Sequence, residues 1–345
     1  MKKFSWLLIL VIIGFNRLSL GQTISGQITN DTTWSGTLTV TGDVIITSGV
    51  LTIEPGTIVK FATSNDNIVE GSASQIHLVV MMDGAIQAIG TADNKITFTT
   101  TSLLPGRGSW GQVDIIALNN NPVTTFKYCI FEYGRVGIEL RNPEGNSQVS
   151  KPVIDHCEFK TMQYSGMYGT SGCEPTITNC IFHDLTSTGV FIHGGGTIKI
   201  EYCTIYDVST GIINAGMEGY PNQNMYINHC SLYDINMMKT DNPKWWTGYA
   251  IYCCNWDQVN SGSITVTNTI VMNPTLYCFK INSWDATHDY NCWYGGLGSI
   301  EDGSLGAHSM ESDPMFWDPD NGDFRLDNQS PCWNAASDGG HIGAN

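Results

Sequence analysis

Trp245, Trp246, Tyr252 and Trp256 fall within a stretch of twelve residues, with Asp241, Asn242, Asn255 and Asp257 between and beside them. Flat aromatic faces next to carboxylates and amides are suited to stacking a sugar ring and hydrogen-bonding its hydroxyls. The same residues also suit a loop that packs down on itself, and both readings stand. Upstream, Tyr168 and Phe191 each lie two residues after a glycine that opens a short apolar run, and Glu218 adds a carboxylate in the segment AGMEGYPNQ.

A second set is acidic. Asp184, Asp207 and Asp234 each fall four residues after a cysteine. On stacked chain they would form a column, each pair repelling by about 3 kcal/mol at an effective dielectric of 20 and by under about 1 kcal/mol in water. Converging hard oxygens of this kind suit Ca2+, and a single Asp bonding its own turn backbone is the alternative. Asp318, Asp320 and Asp323 in DPDNGD offer the same pair of readings.

What must position these residues is a repeat. The phrase FKYCIFEY at Phe126 returns as VIDHCEFK, TITNCIFHD, IKIEYCTIYD, YINHCSLYD and VTNTIVMN, with steps of 28, 23, 23, 27 and 39 residues between Cys129, Cys157, Cys180, Cys203, Cys230 and Thr269. A period near 23 with insertions marks a solenoid, in which no repeat buries its apolar face alone. Within a copy, Ile177, Cys180 and Phe182 point in while Thr178 and Ile181 point out, with a bend at Asn179. That is strand periodicity broken by one turn residue. A further strand follows a glycine, as in GIEL, GVFIH, GIIN and GYAIY. Each repeat therefore reads as one coil of a parallel β-helix, with function displayed on the enlarged loops, Ala215 to Gln223, Asn236 to Thr247 and Cys254 to Ser263.

The five repeat cysteines then stack about 4.8 Å apart with parallel Cβ vectors, a poor disulfide geometry, so a buried thiol ladder is expected. Pairings among Cys173, Cys253, Cys254, Cys278, Cys292 and Cys332 stay open. The net charge of -16 argues against nucleic acid and anionic membrane surfaces as partners. Residues 1–21, with Lys2, Lys3 and an apolar run from Trp6 to Phe15, read as a signal peptide too short to span a bilayer, which makes the chain secreted or surface-bound.

The runs TWSGTLTVTGDVIITSGVLTIEPGTIVKF, IGTADNKITFTT and GSWGQVDI, the repeats from Phe126 to Asn273 and the tail from YNCWYGG to GGHIGAN together resemble secreted bacterial right-handed β-helix proteins of the pectin-lyase-like class. The resemblance implies the fold and leaves the activity open, since that class spans lyases, hydrolases and adhesins. A lyase would need a base and a cation or arginine. Lys199, Lys244, Lys280, Arg141, His183 and His193 are candidates, none of them obviously paired across adjacent coils. Glu139, Glu174, Glu201, Glu218, Asp155 and Asp257 could supply a glycosidase's carboxylates.

The expectation is thus an all-β right-handed parallel β-helix solenoid: signal peptide 1–21, helix 22–290, closing coil and cap 291–345. It is expected to be a monomer that interacts with polysaccharide or cell-surface glycan, with no required cofactor and Ca2+ as an option. The alternatives are a polysaccharide lyase or glycoside hydrolase acting near residues 215–263, and a purely structural solenoid.

Overall fold

The computed structural model describes residues 17–18, 23–64, 75–117, 123–142, 149–170, 172–194, 196–216, 223–240, 243–255, 262–282 and 285–344. Except for Arg17 and Leu18, the expected signal peptide lies outside the described residues.

Each repeat is one coil of three short strands, and every strand pairs in parallel with its counterpart one coil on. Thr176–Thr178, Ile181–His183 and Thr188–His193 are followed by Gly196–Glu201, Thr204–Val208 and Thr210–Gly216. Their registers set Ile177 on Ile200, Phe182 on Ile205 and Phe191 on Ile213. The strands stack on three faces of one long parallel sheet, here called the first, second and third sheets in chain order, which winds 335° round one axis. The cysteine-free segment before Phe126 continues the same sheets, partly through the long strands Thr37–Ile53 and Leu78–Ile89.

The corners explain the repeated phrase. Between the first and second strands the chain turns at one left-handed residue: Tyr128, His156, Asn179, Tyr202, His229, Asn268 and Tyr290, with φ from 48° to 57°. The bend expected at Asn179 is one of them, at φ 53°. Left-handed backbone costs a non-glycine residue about 1–2 kcal/mol, least for Asn and Asp. Stacking of the coils on either side holds Tyr and His there as well.

The next residue points in, and it is the ladder cysteine in five of these coils and Thr269 and Asn291 in the last two. Cys129, Cys157, Cys180, Cys203 and Cys230 are all buried thiols. The Cys180 thiol donates to the Ile154 carbonyl at 3.6 Å and the Cys203 thiol to the Ile177 carbonyl at 3.7 Å, one coil back in each case. Two residues on, the second sheet contributes a stack of rings. Phe98, Phe131, Phe159 and Phe182 lie face to face with centroids 4.7, 4.8 and 4.8 Å apart.

The glycines opening the third sheet mark a close approach between coils. A Cβ on Gly189 would lie 2.8 Å from the Gly211 carbonyl oxygen and 2.8 Å from an Ile205 methyl. In the GYAIY copy it is Ala250, two residues after Gly248, that continues this column, because Ile212 pairs with Ile251.

The closing segment adds one bridge at the end of the second sheet, Met310 on Cys292, and then runs back along that sheet's outer face. Phe324 packs on Tyr206 at 5.1 Å, His229 meets Asp338 at 3.0 Å, and the Gly343 amide donates to the Asn268 carbonyl. Pro314 precedes its short hairpin, Phe316–Asp318 with Asp323–Leu326, and Pro319 opens the turn between the two strands.

Candidate functional site

The register of the third sheet sets Asp114, Glu139, Tyr168, Phe191, Ile213, Tyr252, Lys280 and Glu301 in one outward row, about 4.8 Å per step. Arg141, Thr170, His193, Ala215 and Cys254 follow beside it two positions further along each strand. Longer connections join the ends of these strands. Those from Gly216 to Gln223 and from Asn255 to Ser263 leave one edge of the face, and that from Ile235 to Ile251 leaves the other and carries Trp245 and Trp246 onto it.

Its middle is aromatic. Ring centroids run Tyr168 to Phe191 at 5.1 Å, Phe191 to Trp246 at 5.8 Å, Trp246 to Trp245 at 4.9 Å, Trp245 to Tyr252 at 5.3 Å and Tyr252 to Tyr249 at 5.0 Å. Most contacts are edge-to-face, the arrangement favoured by the ring quadrupole. Phe191 holds the outward position expected of it and Tyr252 lies in the same row, but they are only 6% and 3% exposed, because the loop tryptophans lie across them. Trp245 is 56% exposed and offers its ring to solvent. Of the two tryptophans, Trp246 packs the loop down on Phe191 and Trp245 projects from it. Asp241, Glu218, Trp256 and Asp257 lie outside the described residues.

One end of the row is charged, and the sequence did not reveal how tightly. Asp114 is wholly buried and accepts from His77 Nδ1 at 2.5 Å, Arg141 Nη2 at 2.8 Å and Gln112 Nε2 at 3.0 Å. Burial pushes its carboxyl up, but the His77 hydrogen bond and charge, then Arg141, outweigh this and leave it below the usual carboxylate range. Glu139, one strand on, also bonds Gln112 and lies 3.6 Å from Arg141 and 3.8 Å from Arg135. Here burial and then the Asp114 charge win over both arginines, and the Glu139 carboxyl is pushed up. Arg141 offered no obvious pair on an adjacent coil in the sequence. It joins two carboxylates from successive strands, and His77 comes from the half of the chain read as scaffold.

Glu139, Arg135, Tyr164, Ser165, Tyr168 and Phe191 line a cleft of 260 Å³ at this end. Arg135 lies over the Tyr164 ring at 5.4 Å. Tyr168 bonds His193 through Nε2 at 3.2 Å. Burial pushes His193 down to about 4, so at neutral pH its imidazole is uncharged and shares one hydrogen with the Tyr168 hydroxyl. A wider depression of 660 Å³ lies on the first sheet, lined by Lys199, Glu201, Tyr226 and Asn228 and walled by Ser337 and Asp338 of the tail. It is larger, but it lacks the convergence of rings, arginines and a perturbed carboxyl found on the third face.

A test follows from His193. Its imidazole stays neutral in the fold down to about pH 4 while the unfolded chain takes up a proton near 6.5. Its contribution is therefore full above pH 6.5 and is lost as pH falls toward 4, by up to about 3 kcal/mol. Denaturant unfolding across pH 7.5 to 4.5 should show a shallower slope for His193→Gln than for the parent chain, and equal slopes would refute this.

The three aspartates of the Ca2+ reading occupy the second left-handed corner, at φ 55°, 54° and 46°. Asp184 is paired with Arg107 and accepts from Thr161 at 2.9 Å, and Asp207 is paired with Lys239. Asp234 is pushed up by burial and by Asp207. A cation bound along this column would have to displace Arg107 and Lys239. Among the described residues no three His, Cys, Asp or Glu side chains converge as a metal set, and no helix is long and apolar enough to cross a membrane.

Comparison with curated proteins finds no match. Residues 114–293, more than half of the chain, match the family described as the right handed beta helix region. With that match, and with its parallel strands coiled round one axis, the chain belongs to the right-handed β-helix family.

Proposed function

We propose that this is an exported β-helix protein that binds polysaccharide along the outer face of its third sheet. The observation that carries the reading is the unbroken series of ring contacts from Tyr168 to Trp245, which runs along the coil axis and ends at the Arg135–Glu139 cleft. A glycan lying along the axis would meet the exposed Trp245 ring over the covered row, then Tyr168 and the hydrogen-bonding charged groups of the cleft. The leader-like residues 1–21 support export.

Native gels cast with neutral or acidic polysaccharides test the reading. The parent chain should be retarded by at least one of them. Trp245→Ala and Tyr168→Ala should each weaken retention about tenfold, the equivalent of one lost stacking contact of about 1.4 kcal/mol. Mobility unchanged by every polysaccharide would sink the proposal.

A second reading, an enzyme acting at the same cleft, draws on the Tyr168–His193 pair. A hydroxyl beside a neutral imidazole, with Arg135 near by, is a proton-transfer arrangement. Glu139 and Asp114 do not add the two accessible carboxylates of a glycosidase, because Asp114 is sealed under His77 and Arg141. Release of unsaturated or reducing ends that Tyr168→Phe abolishes would favour this reading over binding alone.

A further inference from the structure

Eleven cysteines are all buried thiols. Five form the inward ladder, on parallel strands whose Cβ vectors do not converge. Cys292 and Cys332 are placed differently. Cys292 opens the last strand of the second sheet, Cys292–Tyr294, and pairs with Ile270 on the outer face. Cys332 comes from the tail, in the turn after Pro331. Its amide donates to Ser330 Oγ at 3.1 Å and its carbonyl accepts from the Ile342 amide at 3.0 Å. The two segments are not in parallel register, so their side chains approach from different directions. Both thiols lie in one apolar cluster with Ile270, Leu326 and Ile342, within hydrogen-bond reach of each other.

We propose that Cys292 and Cys332 form a disulfide site that fastens the tail to the last coils, with a small-molecule disulfide such as oxidised glutathione as the oxidant. One cysteine thiolate attacks the glutathione disulfide, forming a mixed disulfide and releasing one glutathione thiolate. The second cysteine thiolate then displaces the other glutathione. The two cysteines together lose two protons and two electrons, and one glutathione disulfide becomes two thiols. Both sulfurs are sealed once the tail is docked, so exchange takes place while the tail is docking or transiently lifted.

The bond closes a loop from residue 292 to 332, within which Phe324 packs on Tyr206 and Asp320 bonds Tyr233. With the bond formed, the tail can leave the second sheet only if the last coil unfolds with it. With the bond reduced, it can lift alone. This inference does not depend on the glycan-binding reading, which concerns another face.

The test uses the full chain equilibrated in glutathione buffers from fully reducing to fully oxidising. It is quenched by alkylation, unfolded, relabelled and mapped by mass spectrometry. The expected result is a cross-linked peptide pair joining Cys292 to Cys332, 2 Da lighter than the sum of its reduced parts, while Cys129, Cys157, Cys180, Cys203 and Cys230 take the label as free thiols. Limited proteolysis within residues 310–340 should be at least tenfold slower for the oxidised chain, a difference that Cys332→Ser removes. Free Cys292 and Cys332 in the most oxidising buffer, or either of them joined to another cysteine, would overturn the proposal. The peptide map needs no variant, so it stands even if Cys332→Ser folds poorly.

Discussion

Asp114→Asn is expected to destabilise the protein by about 3 kcal/mol, because it removes the negative charge from beneath His77 and Arg141 without removing either partner. Breaking a buried ion pair from one side costs about 3–5 kcal/mol, since the remaining charge is left uncompensated. The lower end applies because the Arg141 side chain is 34% exposed and can turn to water. The pH dependence has a definite sign. The folded carboxyl lies below its ordinary value of 3.8, so its stabilisation is complete above about pH 5 and fades as pH falls through the folded value. The gap in urea midpoint between parent and variant should therefore be widest near neutrality and shrink in acid. A constant gap would mean that the charge is not what matters. The same substitution should lower the Glu139 carboxyl, since the neighbouring charge that raises it is gone.

Phe159→Ala should cost about 3–5 kcal/mol, a large share of the roughly 5–15 kcal/mol typical of a folded domain. Phe159 is fully buried between Phe131 and Phe182, with both ring planes parallel to within 4°. Removing it forfeits two stacked contacts of about 0.5–1.5 kcal/mol each and opens a void in the middle of the pile. The neighbouring strands are held by their ladders and cannot collapse into it. Phe159→Leu keeps most of the volume and should cost less than half as much. Chemical denaturation followed by circular dichroism distinguishes the two, and equal losses would show that volume does not set the cost.

The coil was legible because its marks recur at a countable spacing: a left-handed corner, a small buried thiol, and an inward ring two residues later. Tyr168 and Phe191 could be placed on one face from their distance to Gly166 and Gly189, but Tyr252 could not, because Ala250 rather than Gly248 takes the glycine position in its coil. Asp114 and His77 could not. They meet across 37 residues, in coils without a ladder cysteine and with irregular connections, so neither register nor facing could be counted. The aspartate column was read in the right positions, but its corner conformation and its arginine and lysine partners emerge only in three dimensions. Arg107 reaches Asp184 from 77 residues away.

The regular coils repeat every 23 residues with no change of frame. Copying residues 176–198 in tandem would insert one more rung and slide everything beyond it along the axis by a single increment, about 4.8 Å. The molecule is thus a measuring stick whose graduations are strands, and the length of its outer faces is set by counting rungs, independently of the groups at either end.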